Sequence, residues 1–549
     1  VEFNYTSTAS DGSIGGNGSG TLTPGQSIVE TLTNSDDTQG YVAYTITPWT
    51  LDASSNQKCS GTPIEDTVWV EPTAVVSVSP ENDTICSGDN VSITLTSPTV
   101  PTREVRFNYT TEAPPGVIVN PADETGLAPG TPITSQITNS TDAAQQVLFI
   151  VTPYTRNATG EGLKCAGIND TAIVWVEPTP KVVATPAKDT ICTGDATSIL
   201  LTTITNSTNG VEFNYTSTAS DGSIGGNGSG TLTPGQSIVE TLTNSDNTQG
   251  YVAYTITPWT LDASSNQKCS GTPIEDTVWV DPTPVVVATP AKDTICTGDA
   301  TSILLTSPTN STNGVEFNYT STASDGSIGG NGSGTLTPGQ SIVETLTNSD
   351  DTQGYVAYTI TPWTLDASSN QKCSGTPIED TVWVDPTPVV DATPAKDTIC
   401  TGDATSILLT SVTSSTNGVE FNYTSTASDG SIGGNGSGTL TPGQSIVETL
   451  TNSDDTQGYV AYTITPWTLD ASSNQKCSGT PIEDTVWVDP TPVVVATPAK
   501  DTICTGDATS ILLSSVTSST NGVEFNYTST ASDGSIGGNG SGTLTPGQS

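Results

Sequence analysis

The chain has 549 residues, and 13 Lys and Arg against 57 Asp and Glu give it a formal net charge of −44. This charge argues against nucleic acid and anionic membranes as partners, because both are bound through clustered cations. The sequence contains no His, which excludes His-dependent triads, His general bases and His-ligated zinc.

A hexapeptide recurs along the chain and divides it into repeats. Val-Glu-Phe-Asn-Tyr-Thr starts at Val1, Val211, Val315, Val419 and Val523, and a variant starts at Val105. The usual spacing (315 − 211 = 104) is too long for a solenoid repeat of about 20–50 residues. It matches one β-sandwich domain of about 100 residues. The sequence therefore predicts a string of whole domains of about 104 residues each.

Proline-rich linkers such as Asp-Pro-Thr-Pro separate the repeats and predict the domain boundaries. Boundaries there give domain 1 (1–72, lacking its first strands), domain 2 (73–178, divergent), domain 3 (179–282), domain 4 (283–386), domain 5 (387–490) and domain 6 (491–549, lacking its last strands). Because proline restricts φ, such linkers are semi-rigid, and we expect an extended rod. Since the chain begins with Val1 rather than Met, we expect it to be an internal piece of a longer protein.

Domain 4 shows the predicted strands most clearly. In it Val315, Phe317 and Tyr319 alternate with polar residues, which indicates a strand with one buried face. The pattern predicts strand A at 285–289, B at 301–306, C from Val315, an irregular loop at 324–334, E at 341–347, F around 356–361 and G at 381–385. Short strands separated by turn signals are typical of an Ig-like sandwich. The predicted fold class is therefore all-β, a tandem array of Ig-like β-sandwich domains.

Four motifs of the repeat carry a family resemblance. They are Asp-Thr-Ile-Cys-Thr-Gly before strand B, Tyr-Thr-Ile-Thr-Pro on strand F, Lys-Cys-Ser-Gly after it, and Thr-Val-Trp-Val-Asp-Pro-Thr-Pro at the end. Together they resemble the PKD-like, Ig-like repeats of giant Bacteroidota cell-surface proteins, which include gliding-motility adhesins exported by type IX secretion. The resemblance implies an extracellular, cell-surface location. It also implies that the partners are neighbouring repeats of the same chain and the motility or anchoring machinery of the cell surface.

Ten cysteines occur, two per repeat, and their even, periodic count predicts disulfides. The candidates are Cys59, Cys86, Cys165, Cys192, Cys269, Cys296, Cys373, Cys400, Cys477 and Cys504. Two pairings stay open. Within-domain bonds would join Cys86–Cys165, Cys192–Cys269, Cys296–Cys373 and Cys400–Cys477. Cross-domain bonds would join Cys86–Cys269, Cys192–Cys373 and Cys296–Cys477, and would leave Cys59, Cys165, Cys400 and Cys504 unpaired.

The remaining candidate sites are a metal site, two glycosylation sites and a carboxylate pair. Oxygen-rich loops suit calcium, and Asp325 and Asn331 are the candidate ligands of the one cofactor considered. The family resemblance implies O-glycosylation at Asp-Thr followed by an apolar residue, which selects Thr294 and Thr381. The adjacent Glu379 and Asp380 are interpreted as solvated residues at a strand edge.

Two tryptophans of domain 4, Trp363 and Trp383, offer faces on which sugars could stack. We favour packing in the core or between strands for both of them.

The sequence favours a structural role. We expect a stalk segment of a long extracellular filament or adhesin, used for surface attachment or gliding. The alternative is a series of weak carbohydrate- or surface-binding modules that act by avidity. No catalytic site is predicted, because near-identical consecutive copies suit a spacer better than an enzyme. No apolar run is long enough to cross a membrane, so no membrane insertion is expected in this segment.

Overall fold

The structure, a computed structural model, describes residues 1–156 and 163–549. The chain divides into two compact units, Val1–Asp281 and Pro282–Ser549, and each is described by itself. The first unit contains domains 1 to 3 and the second contains domains 4 to 6. The described residues form strands and turns without a helix, which confirms the predicted all-β class.

Domain 4 illustrates the repeated unit. Its strands are β1 Val287–Thr289, β2 Lys292–Cys296, β3 Ile303–Thr306, β4 Val315–Ala323, β5 Ile328–Gly329, β6 Ser333–Leu336, β7 Ser341–Ile342, β8 Thr347–Asn348, β9 Gly354–Leu365, β10 Gln371–Ser374 and β11 Ile378–Asp385. One layer has the order β1-β3-β7. The second layer has the order β2-β11-β9-β4-β6, with β10 also paired to β9, and β5 pairs with β8 separately.

The same strands recur 104 residues earlier in domain 3, from Val183–Thr185 to Ile274–Asp281, and 104 residues later in domain 5, from Asp391–Thr393 to Ile482–Asp489. Domain 2 has Ser77–Ser79, Asn82–Cys86, Ile93–Thr96, Val105–Glu112, Val117–Asn120, Asp123–Leu127, Pro132–Ile133, Gln136–Asn139, Gln145–Arg156, Leu163–Ala166 and Asp170–Glu177.

Domains 1 and 6 hold part of this set. Domain 1 has Glu2–Ala9, Ile14–Gly15, Ser19–Leu22, Thr33–Asn34, Gly40–Leu51, Gln57–Ser60 and Ile64–Val70. Domain 6 has Val495–Thr497, Leu512–Ser514, Phe525–Thr528 and Ser541–Leu544.

Each of domains 2 to 5 has a hydrophobic core of its own, formed between the two layers. In domain 4 the alternation along β9 places Val356, Tyr358 and Ile360 inside at 0% exposure, against Phe317 of β4. Tyr358 donates from its hydroxyl to Glu344 Oε2 at 2.8 Å, which satisfies its buried polar end. These cores lie within the predicted domains, while the exact boundaries stay a prediction.

Two strand predictions need correction. The predicted strand at 341–347 is two short strands, β7 and β8, which belong to different sheets. The segment predicted as a loop contains β5 and the start of β6, because Ser333–Leu336 pairs with β4. Periodicity missed both because such short strands carry too few alternating residues for a period to be visible.

A parallel strand pair decides where the first cysteine of each repeat lies. β2 follows Pro290 and pairs in parallel with β11, the last strand of its domain, and periodicity predicted no strand there. In that register Cys296 is the Cα partner of Asp385. Since β11 leads into domain 5, the parallel pairing brings Cys296 to the end of domain 4 that faces its successor.

Candidate functional site at the domain junctions

Disulfide bonds connect consecutive domains within each unit. In the second unit Cys296 bonds Cys477, with Cα atoms 5.6 Å apart and a sequence separation of 181. In the first unit Cys86 bonds Cys269, with Cα atoms 5.5 Å apart. Cys269 and Cys477 lie on the domain 3 and domain 5 counterparts of β10. This strand lies at the opposite end of its domain from the last residue of the counterpart of β11. The bonds therefore form where one domain ends and the next begins.

This connectivity is the cross-domain alternative. All four within-domain pairs are wrong, because Cys86 bonds Cys269 and Cys296 bonds Cys477. They are Cys86–Cys165, Cys192–Cys269, Cys296–Cys373 and Cys400–Cys477. Among the described residues the free cysteines are Cys59, Cys165, Cys400 and Cys504, the four that the cross-domain alternative leaves unpaired. Its third pair, Cys192–Cys373, would join the two units and stays a prediction.

A buried carboxylate lies beside the disulfide in the second unit. Asp385, the last residue of β11, is 0% exposed. Its Oδ1 accepts hydrogen bonds from Gln353 Nε2 and Ser415 Oγ, both at 2.7 Å. Its Oδ2 accepts one from Thr468 Oγ1 at 3.2 Å and lies 3.9 Å from Cys477 Sγ. Three of these four contacts come from domain 5, so the carboxylate connects the two domains.

The first unit repeats this arrangement with a glutamate. Glu177 ends the last strand of domain 2, is 0% exposed, and accepts a hydrogen bond at Oε1 from the backbone N–H of Thr208 at 3.1 Å. Thr208 belongs to domain 3 and also donates from its hydroxyl to the same carboxylate. Glu177 and Asp385, each the acidic residue of an Asp/Glu-Pro-Thr linker, are thus buried acceptors for the next domain, a role that the linker motif by itself did not reveal.

Backbone hydrogen bonds add a further contact at the junctions. Between domains 4 and 5, Gln353 N donates to Ser414 O and Ser414 N donates to Asp351 O, both at 2.8 Å. Between domains 2 and 3, Ala144 N donates to Asn206 O and Asn206 N donates to Asp142 O, also at 2.8 Å. A pair of main-chain bonds fixes the register of the two domains at this point.

In both disulfides, the lysine that precedes the second cysteine contacts the preceding domain. Lys476 donates from Nζ to the carbonyl oxygen of Thr294, and Lys268 does the same to Thr84. The acceptors lie two residues before Cys296 and Cys86. The chain has 13 cationic residues, and a lysine makes the same hydrogen bond beside both disulfides.

The glycine of the Lys-Cys-Ser-Gly motif makes room for the linker. A Cβ at Gly479 would lie 1.8 Å from the carbonyl oxygen of Pro388, and one at Gly375 would lie 1.9 Å from that of Pro284. No side chain fits at such a distance from backbone. The motif thus combines a lysine that hydrogen-bonds to the preceding domain, a cysteine that forms the disulfide and a glycine that contacts the linker.

The interpretation of Glu379 and Asp380 as solvated residues is wrong for Asp380. Glu379 is exposed, but Asp380 is 2% exposed. Asp380 Oδ1 accepts from Thr381 N at 2.7 Å, whereas Oδ2 has no hydrogen-bond partner among the described residues. Burial raises the pKa of Asp380, and the nearby Asp293 raises it further. In domain 2 the equivalent Asp170 accepts from Val78 N at 3.0 Å through its Oδ2.

We expect the Asp380→Asn variant to be more stable than the wild type at pH 7, by about 1 kcal/mol, because it removes a buried charge that lacks a full set of partners. The pKa of Asp380 is raised in the folded state, so its ionised carboxylate destabilises the fold at neutral pH. This destabilisation fades as pH falls towards the pKa of about 3.9 that the group has in the unfolded chain. Thermal unfolding at pH 7 and pH 4 measures the difference, which should shrink at pH 4. Glu379→Gln is the matched exposed control. A variant equal to wild type at both pH values would contradict the prediction.

The two calcium candidates have separate partners. Asp325 accepts from Ser327 N at 2.8 Å and from Ser324 Oγ at 3.1 Å, and the bonds from Ser327 lower its pKa. Asn331 donates to Ser321 O at 3.3 Å. Across residues 1–156 and 163–549 no group of three or more Cys, Asp or Glu is arranged to hold a metal ion. Calcium binding at Asp325 and Asn331 stays a prediction.

The glycosylation candidates lie on neighbouring strands. Thr294 is on the edge strand β2, and Thr381 is on β11 next to it. Both are half-buried. Glycosylation of either residue stays a prediction.

The tryptophans differ in position. Trp383 does not belong to the core: it lies on the outer face of the six-stranded sheet, where its ring packs on Tyr355 with centroids 5.0 Å apart. Trp383 therefore packs between strands and is not part of the core. Trp363 is half-buried, and its indole N–H has no hydrogen-bond partner within the described part of the chain.

The described residues contain no helix that is long and apolar enough to cross a membrane. Fold and junctions together define a tandem array of Ig-like β-sandwich domains, with disulfides across junctions inside each unit. Five segments match the family described as PKD-like domain: residues 2–74, 83–180, 189–284, 293–388 and 397–492. The chain belongs to the PKD-like domain family.

No curated protein matches the sequence. Among solved structures, the human desmocollin-1 ectodomain matches at 12% identity and a TM-score of 0.23, covering 91% of this chain and 94% of that one. Titin domains I67–I69 match at 9% identity and a TM-score of 0.30, covering 57% and 99%. The D1–D4 fragment of ICAM-5 matches at 10% identity and 0.25, covering 75% and 98%. At these values none of them bears on function.

Proposed function

We propose that this chain is a stalk segment of a long extracellular filament or adhesin on a Bacteroidota cell, exported by type IX secretion and used for surface attachment or gliding. The observation that carries the proposal is the junction, where a disulfide, a buried carboxylate and a hydrogen-bonded lysine join consecutive domains. A spacer needs such junctions, because its task is to hold one domain at a set position relative to the next.

The location and the absence of catalysis belong to the same proposal. Disulfides form and persist in oxidising compartments, which supports an extracellular place. The charge of −44 keeps such filaments soluble and mutually repulsive. Near-identical domains in series add length with each copy, whereas an enzyme gains little from them.

Electron microscopy of the full chain tests the spacer role. We expect single particles in the form of unbranched rods roughly 200 Å long, from about 35–45 Å per Ig-like domain. Reduction should broaden the distribution of angles between neighbouring domains, because the disulfides no longer hold the junctions. Compact particles, or rods whose angles are insensitive to reductant, would contradict the proposal. Immunogold labelling of the source cells then tests the cell-surface location.

A further inference from the structure

Aromatic pairs lie exposed on the outer sheet face in four of the described domains. The pairs are Tyr41–Trp69, Tyr251–Trp279, Tyr355–Trp383 and Tyr459–Trp487, with ring centroids 5.0 or 5.1 Å apart. Tyr355 is 37% exposed and Trp279 is 36% exposed, and Trp383 is half-buried. A folded domain gains more by burying these rings, so their repeated exposure points to a contact surface. In domain 2 Gln146 is opposite Trp175 instead, so this domain lacks the pair.

Hydroxyl and amide groups of the following domain lie beside this face. In domain 2, which keeps the tryptophan but lacks the tyrosine, Trp175 and Thr84 line a cleft whose other side is the loop 206–209 of domain 3, with the sequence Asn-Ser-Thr-Asn. In the second unit domain 5 has Ser-Ser-Thr-Asn at 414–417, and Ser414 is hydrogen-bonded to Gln353, two residues before Tyr355. Because disulfides hold these junctions, each loop stays in place next to the aromatic face.

An aromatic face next to hydroxyl and amide groups suits a hexose. The C–H bonds of a sugar ring stack on the indole, and its hydroxyls exchange hydrogen bonds with Ser, Thr and Asn. The charge of −44 disfavours acidic glycans. We propose that each Tyr–Trp pair binds a sugar unit of a neutral polysaccharide, with the loop at 414–417 of domain 5 adding hydroxyl and amide groups beside Tyr355 and Trp383, and that successive copies bind one polysaccharide by avidity. This activity goes beyond the spacer role.

Native affinity electrophoresis of the full, oxidised chain tests the proposal. The gels contain hydroxyethyl cellulose, dextran or galactomannan as neutral probes and alginate as the acidic one. We expect at least one neutral probe, and not alginate, to retard the chain. The variant with Trp69, Trp279, Trp383 and Trp487 all changed to Ala should lose at least tenfold in apparent affinity.

Two further variants keep the result interpretable if the alanine variant is unstable. Changing the four paired tyrosines to Gln reproduces the arrangement of domain 2 and should weaken retardation severalfold. Changing Val29, Val239, Val343 and Val447 to Ala removes four other exposed apolar side chains and should change nothing.

Two results would overturn the proposal. One is an unchanged mobility with every neutral probe, and the other is a Trp variant retarded as strongly as the wild type. If the Trp variant instead loses concentration-dependent self-association, the face is a contact between copies and the proposal is equally wrong. None of these results bears on the rod shape or on the mechanical behaviour of the junctions, so the spacer role is tested separately.

Discussion

Under oxidising conditions, single-molecule pulling of the full chain should release almost none of the residues between Cys296 and Cys477. The disulfide carries the force from domain 4 directly to domain 5 and shields a loop of 181 residues. That loop, fully extended, would span about 600 Å. Reductant should therefore add a length on the order of 600 Å to the unfolding of these two domains.

The Cys477→Ser variant separates this bond from the others. We expect it to release several hundred ångströms more than wild type without reductant, because domain 5 is then in the load path. Cys400→Ser is the matched control, since Cys400 is a free thiol in the same domain and should leave the released length unchanged. Equal lengths for Cys477→Ser and wild type would show that the bond does not carry the load.

Asp385→Ala should destabilise the junction by about 2–4 kcal/mol. The change leaves Gln353, Ser415 and Thr468 without their common acceptor. Thr468 is buried, and an unsatisfied buried donor costs about 1–3 kcal/mol, while the half-buried Gln353 and Ser415 add less because water reaches them. Asp385→Asn keeps the shape and one acceptor oxygen, so it should cost less. Calorimetric unfolding measures the loss for each variant.

Hydrogen exchange locates the effect. The Ser414 amide, which bonds Asp351 O across the junction, should exchange faster in Asp385→Ala, while the core strand β9 should be little affected. Asp391→Ala is the control, because Asp391 is exposed on the first strand of domain 5, Asp391–Thr393. If both variants lower stability equally, the buried carboxylate has no special part in the junction.

Periodicity predicted the main strands well and the short ones poorly. Alternation at Val315, Phe317 and Tyr319 and along β9 shows directly in sequence, because one buried face imposes a period of two. β5, β7 and β8 have two residues each, too few for a period. β2 was missed because its five residues become a strand only through parallel pairing with β11, some 90 residues later.

The repeat, the two cysteines per copy and the Asp-Pro-Thr-Pro linkers are properties of the sequence, and they determine the class of fold and the number of domains. Cysteine spacing left two pairings open, since two cysteines per repeat fit bonds within a domain and bonds between domains equally well. Only the tertiary structure decided between them, by placing Cys296 beside Asp385 at the exit of domain 4. It also decided that Asp385 and Asp380 are buried while Trp383 is not, because burial depends on which layer or neighbouring domain covers a strand, and sequence alternation does not encode that.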